Sequence, residues 1–390
     1  MTNKIIRVTT VPGSLNKLLK GQLRFMSKHF EVIAISSRKD SVTSTSGISN
    51  VAINEDVEVY SVEMTRKITP IQDLKAVYQL YRIFRKEKPD IVHSHTPKAG
   101  TVAMIAAKLA GVPQRLHTIA GLPLLVTTGF KRTLLDTVEK VTYGCATKIY
   151  PNSFGLKDII IAAQFTKPSK LKVIGRGSSN GIDTTYFSPN SISNDDRKSL
   201  KKQLDISEDD FVFIYLGRIT GDKGIKELVE AFKNIKQNQP SKLLIVGTFE
   251  PDLDPIPSST QKEIELNSNI LLVGWQKDVR PYLSIAHVLT FPSYREGFPN
   301  VVMQAGAMGI FSIVSNINGC NEIIKESKNG YIIPVKDSHS LQNAMEKVLD
   351  NKLEIINNTD IYRKIIVDSY EQQFIWEELL NEYHLLLRTI

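Results

Sequence analysis

Short, mostly apolar runs alternate along the chain with longer stretches in which apolar side chains recur every three or four positions. The runs suit strands covered on both faces, and the longer stretches suit amphipathic helices. Strands are expected on that basis at 4–10, 31–36, 89–95, 115–118, 148–152 and 171–174, and helices at 15–29, 71–87, 99–110 and 154–164. In 71–87, Leu74, Val77, Tyr78, Tyr81 and Phe84 would share one face. Residues 175–192, GRGSSNGIDTTYFSPNSI, are rich in Gly, Ser, Asn and Pro and read as a linker. A second series follows, with strands at 211–216, 242–246, 270–273, 288–291 and 312–314. Its helices are expected at 224–237, 279–286, 338–350 and most of 359–389.

Strand–helix alternation of this length predicts parallel sheets joined by crossover helices. Two series imply an α/β protein of two doubly wound, Rossmann-like domains, 1–178 and 179–374. The last helix, about 375–390, is free to pack back on the first domain. Ligands of such sheets bind beyond the carboxyl ends of the strands. Two such domains are expected to face each other across a cleft that takes the substrates.

A chain of 390 residues suits two domains. Its net charge of +8 is unevenly spread: residues 1–180 carry 27 Lys and Arg against 12 Asp and Glu, a net +15, and the remainder nets −7. The basic first half points to an anionic partner. Nucleic acid is disfavoured because no recognition motif accompanies the charge; an anionic membrane surface is another candidate, and a basic face that aids solubility is the alternative. No stretch is long and apolar enough to span a bilayer. The N-terminus MTNKIIRVTTVPG lacks the apolar region of a signal peptide. Two widely separated cysteines, Cys145 and Cys320, read as reduced thiols of a cytoplasmic protein.

Chemistry concentrates at predicted strand ends. In FPSYREGFPNVVMQAGAMG (291–309) an apolar strand runs into a polar turn carrying Glu296 and Gly297. Pro299 is then expected at the first position of a helix reading 300–308. Free first-turn N–H groups and the helix dipole make that start an anion socket, and Glu296 beside it can accept from hydroxyl groups. In VFIYLGRITGDKG (212–224) a buried strand ends at Gly217 and presents Arg218, with Lys223 after a short turn. Two fixed cations there suit phosphate oxygens and stabilise a leaving diphosphate.

In the first domain, Gly13 and Ser14 lie between the first strand and its helix, where Gly lets backbone approach a ligand. His93 and His95 share one face of a strand end, with Lys98 following; no third ligand suggests metal, and His95 reads as lining the cleft wall. His117 is expected at the end of the next strand, able to bond a sugar hydroxyl or move a proton. Residues 122–130, LPLLVTTGF, read as an apolar loop followed by Lys131 and Arg132, a pairing that suits a lipid phosphate or a membrane surface; a packed loop fits equally well.

GRITGDKG (217–224), the 291–309 segment and NGIDTTYFSP (180–189), with HSHTPKAG and RLHTIAG in support, resemble the family-4 retaining glycosyltransferases of the GT-B fold. The resemblance covers nearly the whole chain, and its style is similar to bacterial enzymes of capsule and O-antigen assembly. It implies a donor domain in the second half. Arg218 and Lys223 would contact the donor diphosphate, Glu296 the sugar hydroxyls, and Gly297, Phe298, Pro299, Asn300 and Val301 would form the backbone cradle after Gly217. His117 would approach the donor sugar, with Gly13 and Ser14 near the reacting centre. No metal and no other cofactor is implied, and no protein nucleophile. The family's usual second acid, eight residues after the first, is here Gln304, whose amide oxygen can still accept from ribose.

The resulting expectation is transfer of a hexose or N-acetylhexosamine from a nucleotide sugar, most simply a UDP-sugar. The acceptor would be a lipid-linked saccharide at the inner face of the cell membrane. Three alternatives fit less of the chain. A sugar-nucleotide epimerase of similar fold lacks an explanation for the Arg–Lys–Glu set. A non-catalytic sugar-nucleotide-binding protein is suggested by Gln304 alone. A polyanion-binding module explains only the basic half.

Overall fold

The computed structural model describes residues 2–39, 47–65, 69–122, 124, 127–236, 239–252 and 254–390. Gln237, and residues 123, 125 and 126 of the expected apolar loop, lie outside the described residues. The chain forms two compact units, Met1–Gly181 with Gln372–Ile390, and Ile182–Glu371.

The first unit holds a parallel sheet of β1 (Lys4–Val8), β2 (Glu31–Ser36), β3 (Glu58–Ser61), β4 (Ile91–His95), β5 (Gln114–Ile119) and β6 (Lys148–Pro151). The order is β3-β2-β1-β4-β5-β6, which reverses between β1 and β4. Helices Pro70–Glu87 and Pro97–Leu109 cover one face with an apolar layer that includes Leu80, Phe84, Val102 and Ala106. Helix Gln372–Leu387 helps to cover the other, through Leu379, Tyr383 and Leu386.

The second unit repeats the design with β7 (Phe211–Leu216), β8 (Ser241–Val246), β9 (Ile270–Gly274), β10 (Val288–Phe291), β11 (Phe311–Ser315) and β12 (Gly330–Ile333). Its order, β12-β11-β10-β7-β8-β9, reverses between β10 and β7. Every residue of β7 and β10 is buried, as expected of central strands sandwiched between helices. Helices Ile225–Asn234 and Ser338–Asp350 pack together on this sheet, and helix Asn300–Ala307 packs on helix Thr359–Tyr370.

Several expected elements are corrected. The helix expected at 15–29 is broken: a π-helical turn Ser14–Leu18 and a short helix Gln22–Met26 flank Gly21, which takes φ +80°. Residues 171–174 do not form a sheet strand; Leu171 makes a single bridge to Ile149. The expected helix over 359–389 is two helices, separated where the chain passes from the second unit back to the first. Leu122 and Leu124 are buried, in line with the packed-loop reading, and helix Gly129–Cys145 begins within the last two residues of the expected loop.

Candidate active site

The described part of the site is built at the point where strand order reverses in the second sheet. β7 and β10 pair in parallel, with Leu289 opposite Ile214, so their carboxyl ends deliver two loops side by side. The first loop begins at Gly217 (φ +149°), where a Cβ would lie 2.9 Å from the Tyr215 hydroxyl. That hydroxyl donates to the Arg218 carbonyl at 2.7 Å and so fixes the turn from beneath. The loop ends at Gly224, in the left-handed region at φ +70°. A Cβ there would fall 2.1 Å from the Pro292 carbonyl oxygen, so the two loops touch main chain to main chain.

Further bonds staple the loops. The Tyr294 N–H donates to the Asp222 carbonyl at 2.9 Å, and Arg295 pairs with the Asp222 carboxylate at 3.0 Å. The Tyr294 hydroxyl donates to Glu227 at 2.7 Å; burial first, then this carboxylate, raises its pKa. Burial opposes ionisation of Asp222, yet the Thr220 hydroxyl and the cations Lys223, Arg295 and Arg218 hold its pKa below the usual range.

Lys223 and Glu296 form an ion pair, with side chains 11% and 21% exposed. The Ser293 hydroxyl adds a bond to the same Glu296 oxygen at 3.3 Å. The two residues read from the sequence as separate ligand contacts are thus each other's partner. Arg218 is more open and reaches Glu250 at 3.5 Å. Helix Asn300–Ala307 starts beside them without a side-chain cap. Pro299 is its N-cap in extended conformation (φ −77°, ψ 112°), not its first helical residue, and the helix ends at Ala307. Gln304 is half-buried one turn in. Gly217, Arg218, Lys223, Glu296 and residues 297–301 are therefore brought to one edge, with Gln304 behind them.

The first-unit residues behave differently. His117 is the fourth of the six residues of β5, not its last, and is 3% exposed. Helix Pro97–Leu109 closes over it, and a Cβ on Gly100 would stand 2.3 Å from its ring. Its Nδ1 meets the Ser94 hydroxyl at 2.9 Å, and burial lowers its pKa to about 4, which keeps the ring neutral. This corrects the expected placement at a strand end.

His95 is also buried, its ring stacked on that of His93 at 4.4 Å. The Arg7 guanidinium donates to His95 Nε2 at 2.7 Å, so the proton of this ring sits on Nδ1. Arg7 also bonds Gln22 at 2.5 Å and Tyr383 at 3.1 Å. His95, Thr118, Asn152 and Ser178 line an internal cavity of the first unit with room for about one water, ~10 Å³. Gly13 takes ordinary helical angles (φ −57°, ψ −28°) and caps the π-helical turn that Ser14 opens. Lys98 is paired with Asp73. Among the described residues no group of three or more His, Cys, Asp or Glu could hold a metal ion, and no helix is long and apolar enough to cross a membrane.

Two family models match the chain: glycosyl transferases group 1 over residues 196–365, and glycosyl transferase 4-like over 18–153. A capsular polysaccharide biosynthesis glycosyltransferase of Staphylococcus aureus is 34% identical over 99% of this chain and 98% of its own. The chain belongs to the family-4 glycosyltransferases of the GT-B fold. A UDP-Gal:α-D-GlcNAc-diphosphoundecaprenol α-1,3-galactosyltransferase of Escherichia coli is 32% identical over 93% of this chain and 92% of its own. Among solved structures, a glycosyltransferase of Rickettsia africae superposes with a TM-score of 0.82 at 17% identity, covering all of both chains. An Anabaena protein in complex with UDP gives 0.79 at 16% identity, covering 98% of this chain and 99% of that one. The transferase is thus a glycosyltransferase of polysaccharide biosynthesis.

Sequence reading missed the residues that hold the site in shape, namely Asp222, Ser293, Tyr294 and Gly319. Gly319 (φ +72°) lies so close that a Cβ would be 2.7 Å from the Gly297 carbonyl oxygen. The only local signal was the Asn-Gly pair at 318–319, a common mark of a tight turn.

Proposed function

We propose that the transferase moves a hexose or N-acetylhexosamine from a UDP-sugar to a lipid-linked saccharide, retaining the anomeric configuration and using no metal. One observation carries this reading: two cations, a carboxylate and an uncapped helix start converge where strand order reverses between β7 and β10. A diphosphate entering there would lie against Arg218, Lys223 and the N–H groups of Gly297, Phe298, Asn300 and Val301. Its sugar would give hydroxyl protons to Glu296, and Gln304 would accept from ribose. Lys223 would turn part of its charge from Glu296 to the diphosphate as the glycosidic bond breaks and negative charge grows on the leaving oxygen. The acceptor hydroxyl would attack from the face the diphosphate leaves and pass its proton to the departing phosphate oxygen, which retains configuration without a protein nucleophile.

The relatives support the substrate classes. The E. coli enzyme is named for a UDP-sugar and a diphosphoundecaprenol acceptor. A Campylobacter jejuni relative, 25% identical over 86% of this chain, is named as an N,N'-diacetylbacillosaminyl-diphospho-undecaprenol α-1,3-N-acetylgalactosaminyltransferase. Attachment to the inner face of the membrane is supported by the basic first half and by exposed Ile71, Leu74 and Phe130, the last 85% exposed and followed by Lys131 and Arg132.

The test is a screen of sugar nucleotides for nucleoside diphosphate release, with and without a lipid-diphosphate saccharide and with and without chelator. Release from a UDP-sugar that persists in chelator, with an α-linked product, is expected. No release from any common donor overturns the reading, and abolition by chelator overturns its metal-free part. Sedimentation with anionic but not neutral liposomes is expected; equal binding to both would remove the electrostatic argument.

A further inference from the structure

The helix start that would receive the donor diphosphate is uncapped by any side chain, so its shape must be held from behind. Two supports do this. Gly319 presses on the main chain: a Cβ there would be 2.7 Å from both the Gly297 oxygen and Phe298 Cα, and 2.9 Å from Pro299 Cδ. The Phe298 ring, 8% exposed, stands edge-on to the Tyr370 ring at 5.4 Å and 61°. Tyr370, 3% exposed, also donates its hydroxyl to the Glu322 carbonyl at 3.2 Å, in the short helix Cys320–Ile323 that follows Gly319. One side chain therefore touches the loop and the segment that presses on it.

Tyr370 is itself held. Its carbonyl accepts from the Ile182 N–H at 2.9 Å, and the next residue, Glu371, bridges to Ile182 and accepts from the Thr184 hydroxyl. The same helix, Thr359–Tyr370, grips the far end of helix Asn300–Ala307. Arg363 donates to the Ala307 carbonyl there, and to those of Thr184 and Phe187 at 2.8 Å. Ile366 fills the notch left by Gly306, where a Cβ would meet it at 2.5 Å. The donor loop, its support and the two points where the chain enters and leaves the second unit are thus joined through one residue.

We propose that Tyr370 is a positioning residue for donor binding: its ring and hydroxyl set the 297–299 backbone, whose Gly297 and Phe298 N–H groups meet the diphosphate. The donor's place at that backbone rests on the function proposed above. Tyr370 touches no substrate and acts through Phe298 and the Gly319–Glu322 segment. Edge-on aromatic pairs and single hydrogen bonds of this kind are each worth a few-fold in an equilibrium constant.

The experiment uses the full chain with Tyr370→Phe, which keeps the ring, and Tyr370→Leu, which does not. Two readouts are taken: amide hydrogen exchange without ligand, and calorimetric binding of UDP. Faster exchange at residues 297–302 and in the Gly319–Glu322 segment is expected in both variants, larger at 297–302 in Tyr370→Leu, with β7 amides unchanged. UDP affinity is expected to fall about threefold in Tyr370→Phe and about tenfold in Tyr370→Leu. In turnover, donor KM rises while acceptor KM stays within twofold. If Tyr370→Leu does not fold, Tyr370→Phe alone decides by the exchange pattern. Wild-type exchange at 297–302 in the variants, or donor and acceptor KM rising together, overturns the inference. Failure of the wild type to bind UDP would instead count against the proposed function, and the exchange readout without ligand keeps the two failures apart.

Discussion

Glu296→Gln separates the two jobs assigned to the Lys223–Glu296 pair. The substitution keeps the shape and the Ser293 hydrogen bond and removes only the charge. The pair is neither fully exposed nor fully buried, so its loss should cost about 1–2 kcal/mol of stability, between the ranges for surface and buried pairs. For a unit of this size that is about 2–8 °C in melting temperature. Turnover should fall much further. A carboxylate accepting from sugar hydroxyls contributes about 1.5–3 kcal/mol per bond, so loss of one or two predicts a fall of about 10²- to 10³-fold in kcat/KM for the donor. Binding of the nucleoside diphosphate alone should move the other way. It has no sugar to lose, Lys223 no longer shares its charge, and a carboxylate about 6 Å from a phosphate repels it by roughly 1–3 kcal/mol. Calorimetry with UDP should therefore show affinity rising by about fivefold or more while turnover collapses. If UDP affinity falls in parallel with turnover, Glu296 is holding the loop together and has no separate sugar contact, and the assignment fails.

Gly224→Ala places a Cβ 2.1 Å from the Pro292 carbonyl at φ +70°, so unfolding in denaturant should show a loss of more than about 2 kcal/mol; a wild-type midpoint would contradict the loop contact. Gln304→Glu should keep activity and donor KM within a few-fold, since both side chains accept from hydroxyls; complete loss of donor affinity would remove Gln304 from the ribose site. His117 and His287 have folded pKa values lowered by burial to about 4, and His93 and His95 are lowered well below 6.5. The unfolded chain takes protons that these rings refuse, so stability should be full above about pH 6.5 and decline as pH falls toward 4. Each ring contributes at most about 1.4 kcal/mol per pH unit in that window. Denaturant midpoints at pH 7, 6 and 5 test this, and a flat profile would refute it.

The central strands were legible because sheets covered on both faces demand continuous apolar runs, and VFIYL and HVLTF supply them. β3 and β12 escaped because four-residue strands at a sheet's edges, EVYS and GYII, carry too little pattern. Helix Gly129–Cys145 escaped because only Thr142 and Tyr143 of it are fully buried. The edge proposed to take the donor stood out because Gly217, Lys223, Glu296 and Pro299 each sit at a strand-to-helix turn. The ion pair was not: Lys223 and Glu296 are 73 residues apart, and only strand order brings them together. His117 shows the limit of alternation, which assigns a side chain to a face but not to a depth. A shift of two residues along β5 puts the ring beneath a helix rather than at an open edge.

Helix Gln372–Leu387 has a consequence for how the protein is made. Arg7 leaves the ribosome 376 residues ahead of Tyr383. Until then a strand at the centre of the first sheet carries a guanidinium that lacks one of its three buried partners. The apolar face bordered by Leu15, Leu23 and Ile91 is also without Leu379 and Leu386. The first unit to emerge is therefore the last to be completed, and the second unit can fold while its predecessor waits half-covered. Nascent chains stalled before residue 372 should stay sensitive to protease in the first unit and become resistant only once helix Gln372–Leu387 is released.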